Sequence, residues 1–191
     1  LMLCAHSAWA LLPIQHWTEA NGAKVWLVDN KSIPMVDVQI DFDAGSRRDP
    51  ASQVGLANAV GMMTSKGVRA AVKDSALDEN ALGEAWADLG ASFGASAERD
   101  GFVYSLRSLT ESDLLTKATQ LAARQIAEPA FPQNVWQRER SRWEASIKEA
   151  DTKPGTAAGK AFAKGVYGDH PYGYQTTPES LQRINASDLQ A

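Results

Sequence analysis

The spacing of apolar and polar residues changes period several times along the chain, and each change marks an element. From Ile14 to Asn30 two β-rich runs flank Asn21-Gly22, a dipeptide suited to a tight turn with positive φ at both central positions, so a hairpin is predicted. Val36, Val38, Ile40 and Phe42 then alternate with Asp37, Gln39, Asp41 and Asp43, the period of a strand with one buried and one wet face. After a polar loop from Ser46 to Ser52, the apolar spacing of residues 54–67 suits a buried helix closed by Gly67. Asp78 to Leu89 puts Leu82, Ala85, Trp86 and Leu89 on one helical face and meets Gly90 at its end. Two further strands, Ala91 to Ala97 and Phe102 to Leu109, join around Asp100-Gly101, with Phe102, Tyr104 and Leu106 pointing inward. Ser112 is predicted to cap a helix that stops before Pro129, and Pro132 to open a long helix reaching about Ala150. A shorter helix to about Val166, a turn-rich loop from Tyr167 to Tyr174 and a last helix from near Ser187 complete the reading. Hairpin-paired strands with helices between them predict an α+β fold of two layers, a mostly antiparallel sheet covered by helices on one face.

Composition narrows the classes. The 191 residues can bury one core, and 44% hydrophobic with 22% charged residues is ordinary globular usage. A formal charge of -4 without a Lys/Arg run leaves no footprint for nucleic acid or for an anionic membrane. No stretch reaches the roughly 18 to 20 apolar residues that span a bilayer, so membrane insertion is not expected. Residues 1–10 are apolar and end in Ala8-Trp9-Ala10, the small-x-small pattern of a signal-peptidase site. They form either a signal-peptide remnant cut after Ala10, the reading preferred here, or an ordinary apolar segment; the first places the protein in the periplasm or outside the cell, with residues 11–191 as one domain. Cys4 is the single cysteine, which excludes a disulfide framework and a cysteine metal site.

The run from Gly55 to Gly67 resembles the helix carrying the inverted zinc motif of the insulinase/pitrilysin peptidases, G-L-A-H-x-x-E-H-M-x-x-K-G, through Gly55, Leu56, Ala57, Met63, Lys66 and Gly67. The likeness continues in Leu89-Gly90-Ala91-Ser92, Pro129-Ala130-Phe131-Pro132, Arg138-Glu139-Arg140 and His170-Pro171-Tyr172-Gly173, and so spans nearly the whole chain. It implies the first domain of a chain that carries a second domain of the same fold.

The chemistry departs from that pattern. In H-x-x-E-H two imidazoles one turn apart hold zinc and the glutamate activates water. Asn58, Gly61 and Met62 stand at those positions, and an amide, a hydrogen and a thioether supply neither ligands nor base. The third ligand, seven residues after the glutamate of an E-R pair matched by Glu139-Arg140, is Ser146. Gln53, Glu144 and Glu149 are not a replacement set, because Glu144 and Glu149 fall on other helical faces than residue 146. Ser141 and Ser146 lack a histidine at helical spacing and read as surface serines, Trp136 and Trp143 as a packing stripe, His16 and His170 as a hairpin and a loop residue. No zinc or other cofactor is therefore expected. The resemblance also places an extended peptide along the edge strand formed by Ser92, Phe93, Gly94, Ala95, Ser96 and Ala97, where small side chains permit close approach. It implies a silent subunit that pairs with a catalytic zinc peptidase of the same family; the alternative is an assembly module with no role in proteolysis.

Overall fold

The computed structural model describes residues 13–72 and 74–190. The predicted leader therefore lies outside the described residues. The chain divides into two units, residues 1–34 and 35–191. In the first, β1 (Ile14–Thr18) pairs antiparallel with β2 (Lys24–Val28) in the expected hairpin. Its connection differs from the two-residue turn. The Glu19 carbonyl accepts from Gly22 N–H at 2.9 Å and Glu19 N–H donates to the Ala23 carbonyl at 2.8 Å, so the loop runs over five residues. Positive φ is needed only at Gly22 (89°), which leaves Asn21 free to use its side chain as an acceptor for Ala23 N–H at 3.0 Å.

The second unit is built on a three-stranded antiparallel sheet in the order β3 (Met35–Phe42), β7 (Phe102–Leu109), β6 (Ser92–Ala97). One face carries Phe102 and Leu106, both buried, with Phe93 packed beside them. The other presents Asp37, Gln39, Ser92, Gly94, Ser105 and Arg107, all exposed, with Arg107 and Asp37 joined across the strands at 2.6 Å. The buried face is covered by α1 (Leu56–Thr64), α2 (Glu79–Asp88) and α3 (Ser112–Ala127), which gives the expected two layers. At the β3 edge the coverage thins, and Val38, Ile40 and Phe42 stay 37% to 45% exposed although their spacing predicted a buried row.

Local chemistry explains the helices. Asp78 caps α2 by accepting from Asn80 and Ala81 N–H, Leu82 and Trp86 are its buried stripe, and Gly90 (φ 57°) takes the left-handed position after its end. Ser112 opens α3 without capping it, because Glu111 occupies the cap position and makes no side-chain bond. α4 (Gln133–Asp151) begins after Pro132, and α5 (Pro154–Tyr167) begins with Pro154 in its first turn. Two elements escape the periodicity. β4 (Gly67–Val68) and β5 (Leu77–Asp78) form a two-residue ladder too short to show alternation. α6 (Pro178–Gln182) is a five-residue helix held by a capping box between Thr177 and Ser180. The expected terminal helix is a single 3-10 turn at Asp188–Gln190. Among the described residues no helix is long and apolar enough to cross a membrane.

Candidate functional site

Helix α1 owes its position to its two ends. Before it, Asp49 is buried at 8% exposure and accepts from Gly55 N–H at 2.8 Å and Ala57 N–H at 3.0 Å, serving as a cap from six residues upstream. Burial pushes the Asp49 carboxyl up, and the N–H groups of Gly55, Ala57 and Leu56 oppose the shift. Gly55 is required on two counts: its φ is 107°, and a Cβ there would stand 2.8 Å from Thr176 Cγ2. After the helix, Gly67 turns the chain at φ 125°. Lys66 then reaches Glu79 on α2 at 2.5 Å and Glu139 on α4 at 3.9 Å.

Those two glutamates centre an ion-pair network. Arg138 contacts Glu79 at 2.7 Å and Glu139 at 2.6 Å, and Arg142 contacts Glu139 at 3.2 Å. Hydrogen bonds from Lys66 and Arg138 hold Glu79 below the usual carboxylate range. Desolvation acts the other way on Glu139, yet the Arg138 hydrogen bond and the charges of Lys66, Arg138 and Arg142 still bring it below that range. Lys66 and Glu139, matched to the family pattern by sequence, thus tie three helices together.

Successive residues turn about 100° around a helix, which gives α1 three working sides. Ala59 and Met63 share one side, are fully buried, and pack with Trp136 of α4 and Leu181 of α6. Gly61 lies on the opposite side, where α1 crosses β6; a Cβ added there would meet Ala95 O at 3.5 Å and Ala97 N at 3.7 Å. Asn58 and Met62, one turn apart, form the third side, the first exposed and the second half-buried.

The fourth singled-out position, Ser146, is an exposed residue of α4. Its neighbours Trp143 and Ile147 pack against the α1 core, so α4 does lie against α1. Glu144 pairs with Arg140 on its own helix, and Glu149 with Lys153 just before α5. His170 accepts from Tyr172 N–H at 3.2 Å, and His16 sits in the hairpin opposite Trp26. Among the described residues no three His, Cys, Asp or Glu side chains converge on a point where a metal ion could sit. An amide, a thioether and a hydroxyl at residues 58, 62 and 146 do not fit a catalytic zinc, whose ligands are imidazole, carboxylate or thiolate.

Two recognition features adjoin α1. Strand β6 is hydrogen-bonded to β7 alone among the described residues, so Ser92–Ala97 forms an edge with its other side unpaired. Gly94 has nothing within 4 Å of where its Cβ would be. The other is an open polar cleft of about 350 Å³ bounded by Arg47, Asn58, Arg99, Trp143, Tyr172 and Thr176, among others. Sequence reasoning reached Asn58 but missed the cleft, whose walls come from four separate segments. The signal in the chain was Tyr172 of the His-Pro-Tyr-Gly run, which donates from its hydroxyl to Asp100 at 2.6 Å and so fixes one wall.

Residues 24–178 match the family described as Insulinase (Peptidase family M16). Among solved structures the chain is similar to a peptidase M16 inactive domain from Pseudomonas fluorescens, with TM-score 0.86 and 32% identity over 94% of this chain and 42% of that one. It is also similar to a protease from Helicobacter pylori, with TM-score 0.78 and 19% identity over 94% and 42% of the two chains. The periplasmic protease PqqL from Escherichia coli gives TM-score 0.76 and 17% identity over 92% of this chain and 19% of that one. The last two likenesses are of fold. The chain thus spans less than half the length of each of these proteins. No curated protein matches it.

Proposed function

Because the chain belongs to the insulinase family of peptidases, M16, we propose that it is a catalytically silent member, which holds extended peptide as the partner subunit of a catalytic zinc peptidase of the same family. The observation carrying this reading is the split character of α1. The helix keeps the packing that sets it against β6 and α4, while its ligand and base positions hold Asn58, Gly61 and Met62.

Peptide would add to the free edge of β6 as a further strand, with main-chain hydrogen bonds supplying affinity and the small side chains of Ser92, Gly94, Ala95, Ser96 and Ala97 admitting close approach. Phe93 instead packs inward on Trp86, its ring stacked at 5.5 Å, and serves the strand's placement. No step of hydrolysis is assigned to this chain, and it would carry no zinc. The likeness to a peptidase M16 inactive domain from Pseudomonas fluorescens supports the silent reading, and the periplasmic setting of PqqL, with Ala8-Trp9-Ala10, favours a periplasmic or secreted location.

The test is joint purification with an active M16 peptidase of the same cell, followed by peptide turnover. The account expects a complex whose turnover falls when the silent chain is removed. Turnover by this chain alone, abolished by a zinc chelator, would contradict it.

A further inference from the structure

The cleft beside Asn58 lies at one end of the proposed peptide edge. Gly61 meets β6 at Ala95 and Ala97, Asn58 stands one turn earlier on α1, and Arg99 follows Ala97 by two residues. The position of Arg99 is set by its own backbone: the Glu98 and Arg99 carbonyls accept from Ser46 and Arg47 N–H at 2.8 and 3.0 Å. Arg99 thus joins the end of the Ser92–Ala97 edge to the wall of the cleft.

The charges there divide unevenly. Arg47 is matched to Asp43 at 3.0 Å and to Asp100 at 2.9 Å, and Arg48 also pairs with Asp43. Asp49 is engaged by the first N–H groups of α1. Arg99 has no carboxylate partner among the described residues; its guanidinium lies 5.5 Å from the ring centroids of both Tyr167 and Tyr172, which restrict it without neutralising it. Asn58 and Thr176, lining the same cleft, add an amide and a hydroxyl that can donate to an anion.

We infer that this cleft is a carboxylate subsite for the peptide held on β6, with the Arg99 guanidinium as its charge and Asn58 as a neutral donor. The inference rests on the peptide-holding reading above. A planar guanidinium matches a carboxylate through paired N–H donors, and an amide at residue 58 accommodates an anion without bringing a competing charge. A carboxylate can come from an Asp or Glu side chain of the peptide or from its C-terminus, and the two are separable.

The experiment uses dansylated random dodecapeptides of uncharged residues in three pools: with a C-terminal amide, the same with one position fixed as an internal Glu, and with a free C-terminal carboxylate. Binding is read by fluorescence anisotropy. One or both acidic pools should bind about five-fold more tightly than the neutral pool at low ionic strength, and the preference should shrink as salt is added. Preference for the internal Glu assigns the subsite to a side chain, and preference for the free terminus to the chain end. Arg99→Gln should abolish the preference between the pools, and Arg99→Lys should retain part of it. Equal binding of all three pools overturns the subsite alone. Binding of none overturns the peptide reading and the subsite with it.

Discussion

The two adjacent methionines of α1 meet opposite fates. Met63 is fully buried between α4 and α6, beside Ala59. Met62, about 100° around the same helix, is half-buried on the side it shares with exposed Asn58. One side of the helix carries the fold, and the other is where the family pattern would place its metal. The two sides are separate in residues as well as in direction: cap, core face and ion-pair anchor use Asp49, Met63 and Lys66, none of which stands at a ligand position of the family pattern.

The contrast can be broken most directly at Met63. Met63→Ala should cost about 2–5 kcal/mol in denaturant unfolding, as deletion of a buried side chain does, whereas Met62→Ala should cost about 1 kcal/mol or less. Equal costs would remove the distinction between the two sides.

Next comes the ion-pair anchor. Glu139→Gln leaves Lys66, Arg138 and Arg142 around an uncharged amide and should cost about 1–3 kcal/mol. Glu79 and Glu139 are both held below the usual range, so the stability they contribute is complete above the ordinary glutamate value of about 4.3 and is lost as pH falls through their lower folded-state values. A pH series of unfolding free energies should therefore decline more shallowly in acid for Glu139→Gln than for the parent chain.

The smallest effects belong to Gly61 and Asn58. Gly61→Ala should stabilise by about 0.5–1 kcal/mol, since the new methyl finds ordinary contact distances and the helix loses a flexible residue. Asn58→Ala should change stability by about 0.5 kcal/mol or less. A large loss at either would mean that its side of the helix also carries a structural task.

Much of this was legible in the chain because the elements that matter are long and amphipathic. Asp78, Leu82, Trp86 and Gly90 announce α2 from cap to end, and the alternation of Phe102, Tyr104 and Leu106 gives β7. What stayed hidden depends on contacts distant in sequence. Asp49 as the cap of α1 requires a loop to fold back, and the cleft draws Asn58, Arg99, Trp143 and Thr176 from four segments. Phe131 at φ 42°, followed by Pro132 and buried at 4% exposure, is a backbone state that tertiary packing imposes against residue preference. The short helix α6 is a different case: Thr177, Pro178 and Ser180 signal its start, but five residues are too few for a period.

The central claim is that the metal positions of α1 no longer hold a metal. Zinc content of the purified protein, measured by elemental mass spectrometry after dialysis against trace zinc, tests it most directly. The account predicts far less than one zinc per chain, unchanged by Asn58→Ala and Met62→Ala; one zinc per chain, lost in either variant, would contradict it.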